Sequence, residues 1–184
     1  MSDAFAVKAI ELIAENLPVA CRDGDNVDAR TSLALGSLLA GAAFSNAMVG
    51  IVHALGHSLG GLCHIPHGQA MMMLLPHCVR YNLNNGIHAG LYGELLPYLA
   101  PARTADLGTS ASTGERDHAF CEHLFALNDL YHEKYGVPLR LSELGVARDD
   151  LPAVAQQARY DGAALYNETE ITLEVAREIL EAAF

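Results

Sequence analysis

His53 and His57 stand four residues apart, and His67 follows beside Pro66 and Gly68. On a helix, positions i and i+4 project from one face, so two imidazoles at that spacing can converge on one divalent ion. Ala54 follows the first histidine. The general-base glutamate of the H-E-x-x-H zinc peptidases is therefore missing, which argues against metal-dependent hydrolysis. His67, between a proline and a glycine at the start of a helix, is placed by the backbone, as suits a ligand that must hold its position. Read as a pattern alone, H-x-x-x-H also describes ordinary core or surface histidines, and His67 could merely cap its helix.

The surroundings favour a buried setting. From Thr31 to Val79 there is no Asp, Glu, Lys or Arg, although five of the nine histidines (His53, His57, His64, His67, His77) fall in that stretch. Burial of imidazoles requires that they hydrogen-bond or ligate. Cys63 and His64, with His67 and Cys78 or His77, form a second conceivable zinc set, although Cys21 and Cys78 read more simply as small apolar residues. Met71–Met73, flanked by Leu74 and Leu75, read as core. His77 follows Pro76 and is expected to bond a carbonyl that the proline frees. His88, His118, His123 and His132 lie among polar residues and are expected at the surface.

The elements that position these groups read as helices throughout. Ala6, Ile10, Ile13 and Leu17 recur at three- and four-residue spacing and predict an amphipathic helix over Asp3–Leu17. Cys21–Asn26 is a turn. The pattern predicts one long helix from Val27 to Leu59, closed by Gly60-Gly61, then Gly68–Tyr81 with a bend at Pro76. Leu91–Leu99 is a short helix and Ala100–Thr113 an exposed loop. Ser112-x-x-Glu115 is a capping box for a helix reaching Lys134. Asp150–Tyr160 and a final helix capped by Thr172 complete about seven helices in a single all-α domain, 1–184, with no strand and no repeat.

Composition narrows the function. A formal charge of -11 and no basic patch argue against nucleic acid and anionic membranes as partners. Serines, glycines and alanines dilute Thr31–Val52, so it reads as a buried helix and not a membrane span. Four scattered cysteines without C-x-x-C predict a reduced, cytoplasmic setting. The charged N-terminus has no signal-peptide core.

The stretch GIVHALGHSLGGLCHIPHGQAMMMLLPHCVRYN, Gly50–Asn82, closely resembles the signature of the iron-containing (group III) alcohol dehydrogenases: G-x-x-H-x-x-x-H-x-L-G, then P-H-G-x-A-N and L-L-P. Looser resemblance extends over the chain, from SDAFAVKAIELI to YGVPLRLSELGV and DGAALYNETEITLEVAREILEAAF. The resemblance implies a multi-helix bundle like the C-terminal domain of these dehydroquinate synthase-like enzymes. It implies that His53 and His67 are ligands of the catalytic metal, Fe2+ or Zn2+, and that His57 is the non-ligand catalytic histidine beside metal, substrate and nicotinamide. It also implies oxidation of a small alcohol to an aldehyde or ketone with NAD(P).

Two departures qualify it. Met71 stands where the family has Asn. The Rossmann-like half is absent, with no G-x-G-x-x-G and no cofactor-binding residues, as is the upstream helix that supplies an Asp and a His to the metal. The expectation is a truncated family member, inactive without an N-terminal nucleotide-binding polypeptide and self-associating through the face that half would cover. The alternative is a non-catalytic helical metal-binding or interaction module.

Overall fold

A computed structural model describes residues 1–184. Nine α-helices and three 3-10 turns follow one another without a strand, in accord with the all-α reading. The chain divides into two compact units, Met1–Met48 with Gly90–Phe120 and Val49–Ala89 with Cys121–Phe184.

In the first unit, α1 (Ser2–Arg22) packs along α2 (Val27–Ala47), and α1 also contacts α5 (Tyr92–Leu99). Gly36 of α2 permits the first contact, because a Cβ there would meet Ile13 Cγ1 at 2.9 Å. Ala100–Thr113, expected as a loop, carries the short helix α6 (Pro101–Leu107). Pro101 fixes the first turn without losing a needed N–H. The start of α7 (Thr113–Tyr135) holds the capping box: Glu115 N–H donates to Ser112 Oγ at 3.3 Å and Ser112 N–H to Glu115 Oε2 at 2.8 Å.

Asp117 in this unit is buried, and its carboxylate accepts from Gly90 N–H at 2.5 Å and Gly93 N–H at 2.7 Å. Asp117→Ala removes the acceptor of two backbone donors, so it is expected to cost about 2–4 kcal/mol. A urea midpoint unchanged within error would contradict this.

The second unit holds the histidines. α3 (Ile51–Cys63) packs on α4 (His67–Asn84) and on α8 (Leu151–Ala158), which in turn meets α9 (Leu173–Ala182). The core gathers Leu55, Leu59, Leu74, Val154 and Leu180, all fully buried. α9 begins where expected, with Thr172 Oγ1 accepting from Val175 N–H at 3.3 Å.

The predicted long helix Val27–Leu59 is two helices. Met48 adopts φ 64, in the left-handed region, and ends α2, and α3 restarts at Ile51. The new start is capped from far along the chain: Ile51 N–H donates to Asn167 Oδ1 at 3.0 Å. A Cβ on Gly50 would lie 2.6 Å from that oxygen, so glycine is what lets the amide approach. Gly60-Gly61 does not stop the helix. α3 runs on to Cys63 and ends at His64, whose φ of 57 is left-handed.

Pro76 lies inside α4 and leaves the Met72 carbonyl without its intrahelical N–H. His77 does not fill the gap. Asn128 of α7 donates its Nδ2–H to Met72 O at 3.1 Å. His77 instead packs edge-on against Phe125, with ring centroids 5.1 Å apart. Burial, and then the Arg80 guanidinium, push its imidazole down to about 4 from 6.5.

Folding therefore keeps His77 neutral, whereas the unfolded chain protonates it as pH falls below 6.5. The stability present above that pH is lost progressively down to about 4. Because the ring is partly open to screening solvent, the loss is about 1–2 kcal/mol rather than the full shift. His77→Gln is expected to flatten the urea-midpoint profile between those limits. An identical slope in both proteins would remove His77 as the cause.

Candidate metal and proton-transfer site

At 100° per residue, Ile51, Ala54, Leu55, Ser58 and Leu59 occupy one side of α3, and all are buried. His53 and His57 fall on the other side, 40° apart. His53 is half-buried and His57 is exposed. The burial of the first set thus aims the second away from the core. His64, buried Ile65 and Pro66 then reverse the chain in three residues. Pro66 is the N-cap of α4, its carbonyl accepting from Gln69 and Ala70, so His67 opens that helix.

This reversal brings three imidazoles into one cluster. Ring centroids lie 5.6 Å apart for His53 and His57, 5.5 Å for His53 and His67, and 5.6 Å for His57 and His67. Burial, followed by the charges of His57 and His67, lowers the pKa of His53, with Asp161 opposing. A neutral imidazole is the form that ligates a metal.

His57 is engaged differently. Its Nδ1 lies 3.2 and 3.1 Å from the two carboxylate oxygens of Asp161. Asp161 also caps the 3-10 turn Gly162–Tyr166, accepting from Ala163 N–H at 2.8 Å. Neither Asp161 nor Asn167 stood out in the sequence. Each is a polar side chain in a stretch where turn-forming residues are unremarkable, and its partner lies about a hundred positions upstream. The only legible signal was the looser resemblance of that C-terminal segment.

Two imidazole nitrogens bound to one ion at about 2.1 Å with tetrahedral geometry would set their ring centroids roughly 5 Å apart. His53 and His67 at 5.5 Å fit a divalent metal in donor chemistry and spacing. They make two donors. No set of three His, Cys, Asp or Glu side chains here is arranged to hold an ion, so a four-coordinate centre needs donors beyond this cluster. The other zinc drawing gains no support: neither Cys78, which is buried, nor His77, whose ring packs on Phe125, joins Cys63, His64 and His67 in a set arranged to hold an ion.

Met71 occupies the position of the expected Asn, and its terminal methyl Cε lies where a Cβ on Gly56 would be built, 1.8 Å from that point, with Sδ at 3.6 Å. An apolar thioether thus covers the glycine next to His57. Gly56→Ala is expected to force Met71 into another rotamer while Ala70, 3.6 Å from the same point, stays put. A shift of the Met71 methyl resonance would report it.

No single helix is long and apolar enough to cross a membrane. The family profile described as Fe-containing alcohol dehydrogenase family, C-terminal, matches residues 1–184. The chain is 38% identical over 184 residues to the 1,3-propanediol dehydrogenase of Citrobacter freundii, covering 100% of this chain and 45% of that protein. It is 38% identical over 185 residues to the lactaldehyde reductase of Escherichia coli K12, with the same coverage. Among solved structures, a 1,3-propanediol oxidoreductase superposes with a TM-score of 0.87 at 37% identity, over 100% of this chain and 45% of that one. An alcohol dehydrogenase from Oenococcus oeni gives 0.86 at 31%, over 99% and 45%. The chain spans less than half the length of these relatives. The match along all 184 residues, carried by the fold as well as the histidine segment, makes this chain a member of the Fe-containing alcohol dehydrogenase family, corresponding to its C-terminal part.

Proposed function

We propose that this chain is the metal-binding C-terminal part of an NAD(P)-linked dehydrogenase that interconverts a small alcohol and its aldehyde or ketone. The observation that carries the reading is the cluster of His53, His57 and His67, with every ring centroid within 5.6 Å of the others. His53 and His67 hold a divalent iron or zinc ion. When bound, that ion supplies a Lewis acid that polarises the substrate oxygen. A nicotinamide carried by a nucleotide-binding half would supply or take up the hydride.

His57 does not ligate. Its ring is exposed beside the pair and moves a proton between the reacting oxygen and water. Packing of α3 on α4 and α8 keeps the three rings in register, which is the contribution the helical unit makes to orientation. The cysteines are all free thiols, which agrees with a cytoplasmic site of action.

By themselves these 184 residues turn over no alcohol. Fused to the nucleotide-binding half of a relative, the chain reduces NAD(P) in the presence of a short-chain alcohol or diol, and a chelator abolishes the activity. A folded, metal-loaded fusion that shows no alcohol-dependent reduction would sink the reading. The chain also self-associates through α2, where Leu35 and Leu38, one turn apart, are exposed. Light scattering of wild type and Leu38→Glu at micromolar concentration checks this, and a wild-type monomer contradicts it.

A further inference from the structure

The group that fixes which nitrogen of His57 is free lies outside the histidine motif. We propose that Asp161 is the positioning residue of this site: its carboxylate accepts the Nδ1–H of His57, holding that ring in one tautomer with Nε2 as the available acceptor. The inference rests on the reading of His57 as the non-ligand, proton-transferring imidazole.

Both carboxylate oxygens face the same ring nitrogen, at 3.2 and 3.1 Å. An ionised carboxylate only accepts, so Nδ1 must carry the proton. In a neutral imidazole the other nitrogen is then a lone-pair acceptor, on the opposite side of the ring from Asp161. Without a partner, neutral histidine favours the reverse form, with the proton on Nε2. A base that must take a proton through Nε2 is thus made competent by its neighbour and not by its own preference.

The carboxylate is itself held. Oδ1 accepts from Ala163 N–H at 2.8 Å, and the Asp161 side chain is 20% exposed against 43% for His57. The turn it caps, Gly162–Tyr166, is followed by Asn167, whose Oδ1 caps the first N–H of α3. The segment from 161 to 167 is therefore bonded at both ends to the helix that carries His57. Asp161 reaches the imidazole while Asn167 fixes the start of α3, two residues before His53. An aspartate that served only as a turn cap would have no reason to direct both oxygens at a ring nitrogen.

The test reads the tautomer directly, on the 184-residue chain labelled with 15N. Two-bond 1H–15N correlation spectra are recorded at about pH 9, where ordinary imidazoles are neutral, and the His57 pattern is assigned from its loss in His57→Gln. Wild type is expected to show Nδ1 protonated and Nε2 bare. Asp161→Ser keeps a good cap for the turn but is too short to reach the ring, so His57 should revert to the Nε2–H form. Asp161→Asn, whose amide oxygen still accepts, should fall between. A wild-type His57 protonated on Nε2, or a serine variant that keeps the Nδ1–H form, overturns the proposal.

In the assembled dehydrogenase, Asp161→Asn should lower kcat about 10–100-fold with KM for the alcohol nearly unchanged. A changed tautomer with an unchanged kcat would leave Asp161 as the positioning residue and overturn the proton-transfer role of His57. The two failures are thereby separable.

Discussion

Replacing His53 or His67 with alanine is expected to bring the metal content of the assembled dehydrogenase close to background and to cut alcohol-dependent NAD(P) reduction by at least about 100-fold. The two rings lie 5.5 Å apart between centroids, a spacing at which two imidazoles can share one ion, and neither bonds Asp161 as His57 does. Removing one leaves a single imidazole, and the remaining coordination must come from elsewhere. His57→Ala should behave differently. Its Nδ1 already bonds Asp161, so metal content should persist while turnover falls about 10²–10⁴-fold, the usual contribution of a general acid–base group. His64→Ala should leave both unchanged, because His64 is an exposed helix terminator. Elemental analysis and kinetics on the four proteins separate these cases. Retention of stoichiometric metal by a His53→Ala, His67→Ala double variant would remove the pair from the site altogether. On the isolated chain the same pair should bind a divalent ion only weakly, since no third donor of this chain joins it.

How much of this could be read beforehand depended on how local each determinant was. The face of α3 that buries Leu55 and Leu59 and presents His53 and His57 follows from a periodicity contained in about two turns, so the sequence displays it openly. The Ser112–Glu115 box and the Thr172 cap are equally local and stand where expected. Two of the misreadings share a cause. α2 and α3 are separate because Asn167, more than a hundred residues away, caps Ile51. Nothing between Met48 and Gly50 announces that partner.

The carbonyl freed by Pro76 goes to Asn128 and not to the adjacent His77, again a tertiary choice. α6 forms in a stretch whose small and polar residues gave no apolar period. The site divides in the same way. Its histidines lie within fifteen positions and are legible as a motif, whereas Asp161 is legible only after folding. The motif read from sequence therefore named the rings but not the carboxylate that bonds one of them.

Leu59→Ala is expected to lower stability by about 2–5 kcal/mol, and the melting temperature by about 5–15 °C for a chain of this size. Leu59 is fully buried and sits with Leu55 on the face of α3 opposite the imidazoles. It belongs to the same core cluster as Leu74 of α4, Val154 of α8 and Leu180 of α9, so the cavity would open in the core that α3 shares with these helices. The interior is too closely packed for these elements to collapse fully into the space. The consequence for function is distinct from the loss of stability. α3 carries His53 and His57, α4 begins at His67, and the segment following α8 carries Asp161. Loosening their common core lets the rings drift, and an error of about 1 Å in a catalytic constellation can cost on the order of 100-fold in rate. Leu59→Met, which conserves volume, should retain most of the stability and activity. If Leu59→Ala melts like wild type, α3 is not anchored by this face, and the aim of the histidines must have another origin. If it melts lower but keeps full activity in the assembled enzyme, the cluster is held by its own polar bonds, through Asp161 and Asn167, more firmly than by the core beneath it.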